Sequence, residues 1–288
     1  MPRKPGRPKP PGRKAKRVRP PARLRFSEEP VVIRARITAA GESLKILSGP
    51  PAALGTIELA RRINELTDRS IGQVHAACHD GRRVACLSGC TYCCMVPVAA
   101  SAPEVLAIAT FVRERFDEAR QAALARRVEA NITATEGMDM NQRDRVRMDC
   151  PFLEAGECTV YEVRPIACRG VSSYSVEDCR EDYEQPGTGV DVHTNGLREL
   201  VYGAVREGLA VACKSTSIEY RLLELVRAYK IASEDSTLVE TWRSRPEAFE
   251  TATGAGVFPG AWSDELDQEF EEVYWETIND LERRKGTS

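Results

Sequence analysis

Four cysteines fall within nine residues in Cys86-Leu-Ser-Gly-Cys90-Thr-Tyr-Cys93-Cys94, and four more follow at Cys150, Cys158, Cys168 and Cys179. Thiolates at this density, with glycine beside them, suit a soft-metal site. Zinc and iron–sulfur clusters both take about four sulfur ligands, and short loops gather such ligands at small entropic cost. Only three histidines are present, His75, His79 and His193, so a site built here is mainly sulfur. The chain has 288 residues and ten cysteines, too sparse for a disulfide scaffold. A bridge between the neighbours Cys93 and Cys94 would also be strained.

The order of these residues carries a resemblance. Cys90-x-x-Cys93-Cys94, then Cys150-Pro-x-Leu, Gly156-x-Cys158-x-Val-Tyr161, Arg164-Pro165 and Cys168-Arg169 resemble the YkgJ-type cysteine-cluster family (CxxCxxCC) over about residues 84–250. That family's pattern opens C-x2-C-x2-C-C, whereas the first gap here, Cys86 to Cys90, is three residues. Its members are described as zinc or iron chelators without a defined reaction. The resemblance therefore implies zinc or iron held by cysteine, and names no catalytic residue. A second resemblance competes: Cys86-x3-Cys90-x-Tyr92-Cys93 is similar to the CxxxCxΦC signature of radical S-adenosylmethionine enzymes, which hold a four-iron, four-sulfur (4Fe–4S) cluster by three cysteines. It implies a partial barrel of alternating strands and helices; a redox or S-adenosylmethionine-dependent methyl-transfer enzyme that carries an iron–sulfur cluster on a different fold is the alternative reading. No such alternation follows Cys94.

All eight cysteines of the two groups are candidate metal ligands. They could make two four-sulfur sites or one site with spare thiols; the first expected set is Cys90, Cys94, Cys158 and Cys168, and the next is Cys86, Cys93, Cys150 and Cys179. Arg164, Arg169 and Arg180 lie close to the later cysteines in sequence. A four-thiolate zinc centre carries a net charge near −2 that such cations would stabilise. No phosphate-binding glycine loop and no Ser/His/Asp arrangement is evident.

The elements that position these residues read as mainly α: a helical domain with irregular cysteine-rich loops and a short β-hairpin around a metal site. The expected divisions are a disordered basic arm at 1–25, a helical extension at 26–83, the cysteine-cluster domain at 84–250, and a linker with a C-terminal helix at 251–288. Val31–Thr38 reads as a short strand. Leu59, Ile63, Leu66, Ile71 and Val74 give helical spacing up to Cys78, across one or two helices. His75 and Cys78 share an i,i+3 step there, and Cys78 reads as a core residue. Ser101-Ala-Pro-Glu104 has the form of a capping box that starts a helix to about Val112, with another at 119–128. Cys150 to Tyr161 reads as two short extended segments around Glu154-Ala-Gly-Glu157. Two amphipathic helices are expected at 197–205 and 218–229, with Cys213 between them in a structural role, then a glycine-rich linker at 254–260. A last helix at 263–284 either packs on the body or offers a face to a protein partner.

The formal net charge of −2 conceals an asymmetry. Residues 1–25 hold eleven Lys or Arg and no Asp or Glu, which leaves 30 basic against 43 acidic side chains in the rest. A segment so rich in Pro, Gly, Lys and Arg cannot build a core. Its Pro5-Gly6-Arg7-Pro8 resembles the centre of an AT-hook, which implies non-specific DNA contact through phosphate. No apolar run approaches the roughly 18–20 residues of a membrane span, and the basic start lacks the apolar stretch of a secretory signal. A reducing cytoplasm is the expected location, where clustered cysteines hold metal more often than disulfides. Deleting residues 1–25 should leave folding and metal content intact. In a mobility-shift assay it should weaken DNA binding and flatten its salt dependence; loss of metal instead would make the arm part of the fold.

Overall fold

A computed structural model describes residues 29–77, 83–138, 140–252 and 264–285. The basic arm, Cys78, His79 and the 254–260 linker fall outside these residues, as does the side chain of His75.

The chain is mainly helical. Two long helices open it, α1 (Pro30–Leu47) and α2 (Ala53–Ala77). The strand expected at 31–38 is instead the first half of α1. Val32, Ala35, Ala39, Ala40, Ser43 and Leu47 are buried along one side of it, a 3.6-residue period that alanine and serine hide from a reading of large apolar residues alone. Pro30 at the first turn fits a helix start. Tertiary packing then overrides the β preference of Val31, Val32 and Ile33. The spacing from Leu59 to Val74 belongs to one continuous helix, with Leu59, Ile63 and Val74 at 1% exposure or less.

Helix α1 lies along the 20-residue helix α8 (Gly196–Ser215). Small residues set their closeness. A Cβ at Gly208 would stand 2.4 Å from the Arg36 carbonyl oxygen and 2.6 Å from Ala39 Cβ. Cys213 lies inside α8 rather than between helices, buried at 1% exposure in the hydrophobic core. The later amphipathic helix starts after its expected position: β4 (Leu223–Glu224) precedes α9 (Leu225–Glu234). Arg243 Nη1 then reaches the carbonyls of Leu47 and Gly49, and Trp242 Nε1–H donates to Thr56 Oγ1 at 2.9 Å. These bonds close the α1–α2 turn, since helix C-terminal carbonyls attract a guanidinium.

Between these helices stand α3 (Ala102–Arg115), α4 (Glu118–Ala134) and the short α5 (Met140–Arg145). Residues from α1, α2, α3, α8 and α9 share one hydrophobic core. The β-structure is slight. β1 (Ala99–Ala100) pairs antiparallel with β4, Ala99 opposite Glu224. β2 (Leu153–Glu154) and β3 (Glu157–Cys158) form the expected hairpin, with Ala155 and Gly156 both at positive φ, 52° and 81°. That pattern is the turn whose twist matches paired strands. Two short helices unforeseen in the sequence carry late cysteines: α6 (Ile166–Gly170) holds Cys168 and α7 (Val176–Glu184) holds Cys179. After α10 (Leu238–Thr241), α11 (Asp264–Lys285) packs on α1 and α8, with Val273 and Thr277 buried and Leu281 3.1 Å from the Cβ position of Gly41. Among the described residues no helix is long and apolar enough to cross a membrane.

Gly208→Ala should force α1 off α8. Overpacking of this kind costs about 1–3 kcal/mol, so the thermal midpoint should fall by several degrees; an unchanged midpoint would mean that the helices do not cross this closely.

Candidate metal centre

The first cysteine loop is a series of tight turns. Gly89 sits at φ 83°, Cys90 N–H bonds Leu87 O at 3.0 Å, and a single 3-10 turn runs over Tyr92–Met95. The loop is pinned from outside itself. Ala85 N–H donates to Ser173 O at 2.8 Å, and Ser173 N–H donates to Cys86 Sγ at 3.3 Å. The Tyr92 ring rests on Tyr183 of α7 at 5.6 Å. The residues before and along Cys179 are therefore packed on the loop that holds Cys86 to Cys94.

The second group is held by the hairpin and α6. Leu153 N–H bonds Cys150 O, and Thr159 N–H bonds Phe152 O, both at 2.9 Å, so Cys150 and Cys158 flank one turn. Phe152 anchors that turn in the core against Tyr229. The two groups then meet directly, because Cys150 N–H donates to Cys94 O at 2.9 Å. Glu104 adds the second tie. Its Oε2 accepts from Ser101 N–H and Oγ–H, and its Oε1 accepts from Ile166 N–H, each at 2.7 Å. The expected capping box is present, and the same carboxylate fixes the first residue of the helix carrying Cys168.

The thiols press on one another electrostatically, and their neighbours divide differently from the sets of four expected from sequence. Burial, then repulsion from Cys150, Cys158 and Cys93, pushes Cys168 up. Burial also pushes Cys150 up to about 12, with Cys158 and Glu224 adding repulsion. Cys158 is raised by burial too. On the other side, burial raises Cys179 with repulsion from Cys86, Cys90 and Cys93 added, and burial raises Cys90 with Cys86 and Cys93 added. Cys93 is raised first by its hydrogen bond with the Cys94 thiol. Cys86, Cys90 and Cys179 thus form one neighbourhood, and Cys150, Cys158 and Cys168 a second. Cys93 acts on both, and Cys94 adjoins Cys150. Among the described residues, no three His, Cys, Asp or Glu side chains stand ready-placed to hold an ion.

Of the three arginines expected to balance thiolate charge, one faces the sulfurs. Arg164 stacks on the Tyr161 ring at 3.7 Å, and its charge lowers both Cys93 and Cys158 against the effects that raise them. Arg169 is a buried tie, donating to Asp68 and to the carbonyls of Arg164 and Glu162. Arg180 does not serve as expected: it pairs along the exposed side of α7 with Glu177 and Glu184, where i,i+3 and i,i+4 spacing brings opposite charges together. Arg198, which the sequence did not single out, takes that place, attracted by Cys86 and donating to Arg169 O at 2.6 Å.

Two further polar groups border the cysteines. His193 Nδ1 meets Asp178 Oδ2 at 2.6 Å, and Ser175 Oγ–H donates to Asp178 Oδ1 at 2.6 Å, one residue before Cys179. Glu224 lies on the Cys150 side. Neither has a spacing signal in the sequence, since each arrives from a separate element. The donor set suits zinc or iron: eight soft sulfurs, cations beside Cys86, Cys93 and Cys158, and thiols that burial keeps protonated without a metal. Any loading would release those protons.

Residues 85–185 match the CxxCxxCC family model, described as "Putative zinc- or iron-chelating domain". The matched segment contains both cysteine groups and ends before α8, short of the 84–250 span expected. No curated protein and no solved structure matches the chain.

Proposed function

We propose that this protein is a zinc- or iron-binding module in which the two cysteine groups act as one centre. The observation that carries the reading is their meeting across the Cys94–Cys150 backbone bond at 2.9 Å, with Cys93 between the two thiol neighbourhoods. Metal held there would lower the thiol pKa values and supply folding energy, on the order of 10–16 kcal/mol of apparent binding energy for structural zinc. The chain's own part is to deliver the sulfurs. The hairpin and α6 present Cys150, Cys158 and Cys168, the first loop presents Cys86 to Cys94, and α7 presents Cys179. Arg164 and Arg198 offset the thiolate charge.

An iron–sulfur occupant would add redox chemistry to the same sulfurs. The radical S-adenosylmethionine resemblance finds no support in the fold, because the described residues form two antiparallel pairs and no parallel sheet.

Protein purified without oxygen should carry zinc or iron at one or more ions per chain. A colourless preparation with zinc fixes the structural-module form; a brown one with sulfide-to-iron absorption fixes the cluster form. Removal of the metal by a chelator should lower the thermal midpoint in either case. A chain that takes up neither metal overturns the proposal.

A further inference from the structure

Arg164 is a half-buried residue whose guanidinium is held in place while its donors stay unbonded. Tyr161 and Arg164 stand three residues apart across the 3-10 turn over Tyr161–Val163, and side chains at that spacing eclipse in such a turn. The guanidinium accordingly lies over the Tyr161 ring, 3.7 Å from its centroid. The Arg164 carbonyl accepts from Arg169 Nε–H at 3.0 Å, and Pro165 follows directly, so the backbone beneath the side chain has little freedom. Yet Arg164 Nε is buried without a hydrogen-bond partner, and no hydrogen bond joins the other guanidinium nitrogens to the described residues. A buried donor in that state is unfavourable unless a ligand completes it.

Positive charge is also in excess here. Burial lowers both Arg169 and Arg198, and the charge of Arg164 lowers each further, against the attraction of Asp68 on one and of Cys86 on the other. The carboxylates that act on Arg169 have partners of their own. Asp68 is paired with it, and Glu104 accepts from Ser101 and Ile166. The Cys93 thiol is raised by its bond with the Cys94 thiol and the Cys158 thiol by burial, so without metal both are neutral beside Arg164. A flat guanidinium backed by a ring and unbonded at its edge suits a carboxylate or a phosphate, which it takes through two parallel N–H bonds.

We propose that Arg164 receives an oxyanion, the carboxylate or phosphate group of a ligand, in the metal-free chain. Tyr161 is 60% exposed, so the ring that backs the guanidinium faces solvent. The oxyanion is a ligand additional to the metal, and its binding needs none. Thiolates formed on metal loading would draw on the same guanidinium, so the two ligands oppose each other.

A proton–nitrogen NMR titration of the full-length chain stripped of metal tests this at constant ionic strength. The Arg164 Nε–H signal, assigned by its loss in Arg164→Lys, should move as sulfate or acetate is added. Sulfate stands for a phosphate ester and acetate for a carboxylate, and the tighter of the two names the ligand's class. Arg164→Lys keeps a charge and loses the paired donors, so its affinity, read from neighbouring backbone amides, should fall about tenfold. Tyr161→Leu keeps the guanidinium, removes its backing and should also bind more weakly. An unmoved Nε–H signal in the wild type, or wild-type affinity in either variant, overturns the assignment. A chain that binds sulfate through Arg164 and takes up neither zinc nor iron keeps the assignment and overturns the metal-binding reading alone.

Discussion

Glu104 joins the start of its own helix to the start of another, at Ile166, 62 residues further along the chain. Its side chain is 1% exposed, and its oxygens accept three bonds, two from Ser101 at the start of α3 and one from Ile166 N–H at the start of α6. Hydrogen bonds to an ionised carboxylate are about twice as strong as neutral ones, and a lost partner would leave a buried N–H unsatisfied at about 1–3 kcal/mol. The first cysteine loop ends just before Ser101, and Cys168 lies two residues beyond Ile166. One carboxylate thus sets the separation between the exit of the first group and the middle of the second. The excursion through α3 and α4 can return to its origin because this clamp and the Cys94–Cys150 bond hold its ends.

The cost of that arrangement is electrostatic. Gathering thiols into a partly buried region raises them, first by burial and then by mutual repulsion at Cys150, Cys168 and Cys179. Arg164 and Arg198 act against this from the Tyr161 and Cys86 sides. Thiols raised in this way hold their protons, so loading a metal would have to displace them. The close α1–α8 crossing at Gly208 and the buried Cys213 belong to packing.

The sequence made some of this legible and hid the rest for physical reasons. The capping box at Ser101 and the hairpin around Ala155–Gly156 are local, so spacing alone found them. Helix α1 was misread because its buried side is built of alanine and serine, which a search for large apolar residues passes over. α6 and α7 are short and draw their stability from contacts, with Ile166 buried and Ser175 capping α7 through Asp178 N–H. All eight cysteines in the two groups were visible as candidates, yet their neighbourhoods were not, because Cys179 returns to the first loop through Ser173 rather than joining its sequence neighbours. Arg180 lies close to the cysteines in sequence and is turned away by the helix that carries it. Glu224 carried no signal at all, since strand pairing with Ala99 brings it to the cysteines from far along the chain.

The claim that the two cysteine groups form one centre is tested most directly by a double-mutant cycle across them. Cys90→Ser and Cys168→Ser would be made separately and together, with bound metal and thermal midpoint measured for each. Residues that act in one assembly give non-additive effects. The account predicts that either substitution alone lowers metal content and midpoint together, and that the double variant falls little further. Fully additive losses would mean two independent sites and would contradict it.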